Sequence, residues 1–149
     1  MGKILNSYGT TNPIFTNNFD NDLASGIWLN FTVDGNAAIN YGSSGLIGPQ
    51  TRRTKIGTSA LQLNTWYHVV GIIYNNVDMD IFVNGVNDGG SYSGQGTVLG
   101  YTDGAGNIGR KDASSNYPPT SFNGTIDEIN FYNRVLTVQE ILYLYQTAK

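Results

Sequence analysis

Trp66-Tyr67-His68-Val69-Val70-Gly71-Ile72-Ile73-Tyr74, then Asn75-Asn76-Val77, then Asp78-Met79-Asp80-Ile81-Phe82-Val83 closing on Asn84-Gly85, is the stretch whose reading decides the fold. Two runs of β-branched, aromatic and aliphatic residues are separated by turn formers, and the second ends in the dipeptide that most favours a tight hairpin turn. In the return strand Met79, Ile81 and Val83 share one face, while Asp78, Asp80 and Asn84 share the other with Phe82. Side chains alternate across a strand, so this spacing predicts one buried face and one mostly polar face.

The same pattern extends outward in both directions. Upstream, Ile27 to Val33 ends at Asp34-Gly35 and Ala37-Ala38-Ile39-Asn40-Tyr41 resumes at once, which predicts a second hairpin. Downstream, Phe122 to Asn133 reads as a last long strand. The periodicity then changes: Thr137-Val138-Gln139-Glu140 spells a capping box, with Leu136 and Ile141 placed as a hydrophobic staple. A terminal helix over about 138–147 is expected, docking Ile141, Leu142, Leu144 and Tyr145 on the strands. Segments 42–50, 88–96 and 100–121 are rich in Gly, Ser, Asn, Pro and Tyr and read as long loops, where binding usually sits on a rigid β scaffold.

Composition sets the outer limits. The 149 residues include 19 Gly and 18 Asn, both poor in helices, which argues against a helical bundle and for a single all-β domain over 1–149. The net charge is −3, and the eight basic residues cluster only at Arg52-Arg53-Thr54-Lys55 and Arg110-Lys111, so no basic stripe exists to neutralise nucleic-acid phosphates. There is no cysteine, which excludes disulfides, thiol catalysis and cysteine-bound zinc. No apolar run approaches the roughly 18 residues of a membrane span, and Met1-Gly2-Lys3 leads into no signal-peptide core. The chain is therefore expected either in the cytoplasm as it stands or as part of something longer.

Several constellations carry possible chemistry. Gly104-Ala105-Gly106-Asn107-Ile108-Gly109 matches the dinucleotide fingerprint G-x-G-x-x-G, but the Ser-, Asn- and Pro-rich stretch that follows cannot be a crossover helix, so it reads as a glycine-rich loop entering a strand. His68, the single histidine, alternates with Trp66, Val70 and Ile72 and reads as a satisfied packing residue rather than a ligand or base. No Gly-x-Ser-x-Gly elbow occurs.

Glycoside hydrolysis needs two carboxyl groups about 5.5 Å, or about 6.5–9.5 Å, apart across one cleft. The chain has only two glutamates. Glu128 neighbours Asp127 on a predicted strand, so the two point to opposite faces, and Glu140 is committed to the helix cap. Asp78 and Asp80 form the one i, i+2 pair on a predicted strand and read as a solvated face. The composition favours calcium over zinc, with nine Asp and many Asn to supply oxygen ligands. Candidates are the loops at 17–22 and 102–107 and Asp127, which reads as buried; ordinary turn and surface carboxylates are the competing reading of each. Tyr92, Tyr101 and Tyr117 lie in polar loops, each offering a flat apolar face and a hydroxyl. With Asp103, Asn107 and Arg110 beside them they form the candidate ligand-binding set, a sugar platform in one reading and lids on their own core in the other.

Three blocks together, Leu63-Asn64-Thr65-Trp66-Tyr67-His68-Val69-Val70, Ile81-Phe82-Val83-Asn84-Gly85 and Phe122-Asn123-Gly124-Thr125-Ile126-Asp127-Glu128-Ile129-Asn130-Phe131-Tyr132-Asn133-Arg134-Val135-Leu136-Thr137, resemble the laminin-G-like branch of the concanavalin A-like lectin/glucanase superfamily. The resemblance covers residues 63–145. It implies an antiparallel jelly-roll β-sandwich with one concave sheet and a short C-terminal helix, frequently with calcium and frequently used to bind glycans or proteins outside the cell. It places Trp66, His68, Gly85, Asp127 and Glu128 at framework positions and makes Asp127 the residue to connect with calcium. The superfamily's enzymes carry Glu-x-Asp-x-Glu or a one-residue variant, and nothing here matches it, so the resemblance implies a carbohydrate-binding module that is not an enzyme. The rival expectations are a structural or adhesive domain of a surface or virion protein and, behind it, a glucanase.

One departure from the family pattern has a structural consequence. Its opening strands, with a Phe-x-Ile-x-x-Trp pattern, are absent ahead of Ile4-Leu5-Asn6-Ser7. Their loss is expected to leave an unpaired sheet edge, covered by another subunit in a homo-oligomer, by rearranged terminal residues, or by other parts of a parent protein.

Overall fold

The computed structural model describes residues 2–4, 11–17, 23–46, 48–102, 104–112 and 118–148. Its strands are β1 (Gly2–Ile4), β2 (Asn12–Thr16), β3 (Leu23–Ala24), β4 (Ile27–Phe31), β5 (Ala37–Gly42), β6 (Gly45–Leu46), β7 (Arg52–Ile56) and β8 (Trp66–Tyr67). There follow β9 (Val69–Ile73), β10 (Met79–Val83), β11 (Val86–Asn87), β12 (Ser91–Ser93), β13 (Asn107–Ile108), β14 (Arg110–Lys111), β15 (Thr120–Ser121), β16 (Gly124–Ile126) and one helix, α1 (Val138–Thr147). Every pairing is antiparallel. One layer is a six-stranded sheet in the order β12-β7-β5-β4-β2-β13; facing it are β11-β10-β9 and β16-β1-β8, with β8 and β9 separated only by His68. This is the antiparallel sandwich with a C-terminal helix that the sequence predicts.

Both predicted hairpins form, by different turns. At Asn84 and Gly85 φ is 51° and 80°, so both central residues are left-handed, as a two-residue turn matched to strand twist requires. At the other, Thr32 N–H donates to Asn36 O at 2.8 Å around a three-residue loop in which only Gly35 is left-handed.

The core lies between the layers. Phe31, Ala37, Ile39 and Tyr41 of the six-stranded sheet meet Met79 and Ile81 of β10, all buried, and Leu61 closes one end. A second cluster joins Ile72 and Phe82 to Leu136 and Ile141. The helix therefore covers the outer side of β9 and β10, and Phe82 is buried beneath it, so the face expected to be mostly polar is apolar where α1 sits. The capping box and staple form as predicted: the Thr137 hydroxyl accepts from Glu140 N–H at 3.2 Å, and Glu140 Oε2 accepts from Thr137 N–H at 2.8 Å. Fully burying Ile141 contributes about 1.5–3 kcal/mol to this docking.

Three expectations change. The segments read as long loops contribute short strands, among them β12, β13, β14 and β15, because a ladder needs backbone partners rather than an apolar pattern. Of the predicted strand Phe122 to Asn133, only Gly124–Ile126 pairs. Asp127, read as buried on that strand, is exposed just beyond its end. No described helix is long and apolar enough to cross a membrane.

Candidate functional site

Alternation sends Ile27, Leu29 and Phe31 of β4 and Ala37, Ile39 and Tyr41 of β5 into the core, so Trp28, Asn30, Ala38 and Asn40 belong to the opposite, outer face of the sheet. Register then assembles a row there. Ser93 stands opposite Thr54, Thr54 opposite Asn40, Asn40 opposite Trp28, Trp28 opposite Thr16, and Thr16 opposite Asn107. The row crosses all six strands, five steps of about 4.8 Å or about 24 Å in all.

Hydrogen bonds stiffen this row. The Thr54 hydroxyl donates to Asn40 Oδ1, and Asn40 Nδ2 donates to Asn30 Oδ1 at 2.8 Å. The Thr16 hydroxyl donates to the Arg110 carbonyl at 3.0 Å, tying β2 to β14. Thr16, Asn30, Asn40 and Thr54 are buried, Trp28 and Asn107 are half-buried and Ser93 is exposed. The buried members hold the geometry; Trp28 and Asn107 are part-exposed, with the indole Nε1 itself buried, and Ser93 is exposed. Such a strip can stack on an apolar ring face and exchange hydrogen bonds with hydroxyl groups around it.

Of the residues predicted from sequence, Asn107 lies in the row and Arg110 just beyond it. Asp112 holds both, accepting Asn107 Nδ2 at 2.9 Å and Arg110 Nε at 2.8 Å. Tyr101 is 56% exposed on a loop fastened at the start of β4, where Gly26 N–H donates to Gly100 O at 2.8 Å. Tyr92 lies at the opposite edge of the sheet, on β12. Its hydroxyl accepts the Met79 amide at 2.7 Å, bridging the edges of the two layers, and the Arg53 guanidinium sits 4.4 Å from its ring centroid. The structure thus does not bring Tyr92 together with Asn107 and Arg110. Asp103 and Tyr117 lie outside the described residues, as does most of the 17–22 loop.

Asp127 Oδ1 accepts the Glu128 amide at 2.9 Å, and no cluster of three His, Cys, Asp or Glu side chains occurs among the described residues. Other carboxylates are engaged structurally. Asp80 pairs with Lys55 Nζ at 2.8 Å and accepts the Tyr74 hydroxyl at 3.0 Å. Burial, with the bond to Asp80, pushes the Tyr74 phenol up to about 12. Buried Asp88 anchors the loop after β7 by accepting from the Ser59 amide and hydroxyl. His68 packs 6.1 Å from the Tyr145 ring, as a packing residue should, but Nδ1 is buried with no hydrogen-bond partner among the described residues, which differs from the expected satisfied histidine. Burial lowers its pKa, against a smaller opposing pull from Glu128.

Sequence reasoning passed over Trp28, Asn30, Asn40 and Thr54. The signal was present in Ile27-Trp28-Leu29-Asn30-Phe31 and Ala37-Ala38-Ile39-Asn40-Tyr41, whose period of two puts Trp28 and the asparagines on one face. The turn at Asp34-Gly35 then sets Trp28 against Asn40.

The match to a family model agrees with this architecture. The family model Laminin_G_3, of the concanavalin A-like lectin/glucanases superfamily, matches residues 3–142. Among solved structures, an S-layer domain-containing protein from Clostridium thermocellum is similar to the chain at 25% identity with a TM-score of 0.46. That alignment covers 91% of this chain and 63% of the other, so the chain spans less than two thirds of that protein's solved length. No curated protein matches the chain.

Proposed function

The chain belongs to the concanavalin A-like lectin/glucanase superfamily, and from that membership we propose that it is a non-catalytic carbohydrate-binding module of a surface or secreted protein. The observation that carries the reading is the outer-face row Ser93–Thr54–Asn40–Trp28–Thr16–Asn107. An indole at its centre, polar groups on either side and a length of about 24 Å suit several sugar units lying across the strands. The Trp28 indole stacks on the apolar face of one ring, and Asn107, held by Asp112, meets the hydroxyls of a neighbouring one. Arg110 borders the same end, held by Asp112.

The structural engagement of Asp80, Asp88, Asp112 and Glu140 supports a binding role over a hydrolytic one, since a glycosidase needs a pair of carboxyls free to face the same bond. This reading gives calcium no step in binding. A glycan array probed with the purified chain, with and without calcium, tests the proposal. Binding that is lost in Trp28→Ala is the expected result, and no binding to any glycan in either condition refutes it. A rival role as an adhesive domain that docks on other proteins is favoured by one feature, the outer edge of β9, with which no described strand pairs.

A further inference from the structure

The dipeptide Asn-Gly occurs twice in the chain, at Asn84-Gly85 and at Asn123-Gly124. It carries a chemistry of its own. When the asparagine side chain swings toward the next peptide bond, the following backbone nitrogen can attack the carboxamide carbon, and a glycine there has no side chain to obstruct the approach. Folding decides which of the two sites reaches that geometry.

Asn84 is held away from it. Its Oδ1 accepts the His68 N–H at 3.0 Å, and its own N–H donates to His68 O at 2.8 Å. Both turn residues are left-handed, and Gly85 is buried beneath α1, where an added methyl would lie 3.0 Å from Leu142 Cδ1. Attack by Gly85 N requires the carboxamide to leave His68 and the turn to reopen under the helix.

Asn123 has none of these restraints. It is exposed in the link Phe122-Asn123 between β15 and β16, outside any ladder, and no described residue hydrogen-bonds its side chain. Its neighbours, by contrast, are anchored. Phe122 N–H donates to Gly109 O at 2.7 Å, the Phe122 ring lies 6.2 Å from that of Phe31, and Ile126 packs on the same core cluster. Gly124 to Ile126 pair with β1. The main chain is thus pinned on both sides of a side chain that stands unrestrained.

We infer that Asn123 is a site of spontaneous covalent modification, an asparagine that converts to aspartate and isoaspartate while Asn84 persists. Gly124 N bonds to Asn123 Cγ, the Cγ–Nδ2 bond breaks, and ammonia leaves with the proton that Gly124 N gives up. Water then opens the resulting succinimide. Addition at Cγ gives aspartate with the main chain unchanged. Addition at the main-chain carbonyl carbon of residue 123 gives isoaspartate, which routes the main chain through the side chain and adds one carbon to it. Between anchored Phe122 and Ile126 that carbon shifts the β16 register or the packing of Ile126, because a close-packed interior has no slack to absorb it. Both products add a negative charge. This inference stands independently of the sugar-binding reading.

The test incubates the 149-residue chain at mildly alkaline pH and follows it by peptide mapping with mass spectrometry and by isoaspartyl methyltransferase labelling. Asn123 should convert at least tenfold faster than Asn84, with one ammonia released for each Asn123 lost. In concentrated urea, where neither turn survives, the two rates should come together. The separated isoaspartate form should melt below the parent, and the aspartate form should melt with an Asn123→Asp variant. An Asn123 that stays intact, or that converts no faster than Asn84 in the folded chain, overturns the inference.

Discussion

The side chains of Asn40 and Asn30 are joined at 2.8 Å on the outer face of the six-stranded sheet, and both are buried there. Asn40 also accepts the Thr54 hydroxyl, so one amide satisfies polar groups on the strands to either side. Replacing Asn40 by Ala leaves the Asn30 oxygen and the Thr54 hydroxyl without that partner. A buried polar group deprived of its bond costs about 1–3 kcal/mol. Asn40→Ala should therefore lower the urea midpoint by a corresponding amount without changing the slope, and a loss below about 0.5 kcal/mol would show that water replaces the ladder freely.

Gly71 is set by packing. A methyl group built there would lie 2.5 Å from Ile39 Cδ1 and 3.2 Å from Leu29 Cδ1. Overpacking a core costs about 1–3 kcal/mol. Ile39 and Leu29 also floor the open cavity beside β9 and have space to withdraw, so Gly71→Ala should cost about 1 kcal/mol, the low end of the range. In an Ile39→Val background the cost should shrink, which a double-mutant cycle measures; strict additivity would contradict the contact.

Helix α1 brings a pH dependence. Arg134 first, then the Thr137 amide and hydroxyl, hold the Glu140 carboxyl down to about 2 from an ordinary 4.5. The folded state therefore binds this proton more weakly than the unfolded state. The stabilisation is fully present above about pH 4.5 and is lost as pH falls toward 2. Denaturation midpoints at pH 7, 4.5, 3 and 2 should show a shallower acid decline in Glu140→Gln than in the parent. Salt should narrow the difference, since the pair is exposed and screened. Parallel acid declines would remove Glu140 from the explanation.

Local patterns were legible in the sequence where the physics is local. Asn84-Gly85 dictates its turn by left-handed preference, and Thr137 with Glu140 dictates the helix start by reciprocal bonds. The hairpin from Ile27 to Tyr41 follows from alternation alone. The stretch from Asp127 to Asn133 did not follow, because Glu128 is left-handed there and no described strand pairs with the residues after it. The candidate row was half legible: Trp28 against Asn40 comes from one hairpin, and Asn107 was singled out. Ser93 and Asn107 became parts of a single row only through pairings of β12 and β13, strands of two or three polar residues whose register no local pattern announces. Tyr92 looked like an exposed platform because its engagement by Met79 and Arg53 comes from strands distant in the chain.

The sugar-binding account rests on Trp28, and the chain's other indole, Trp66, lies away from the row on β8. In a Trp66→Phe variant all indole emission comes from Trp28. Titrating that variant with an oligosaccharide selected on the array should shift and quench the emission saturably, with the same Kd that calorimetry gives. Binding by calorimetry with the Trp28 emission unchanged would place the sugar elsewhere and contradict the account.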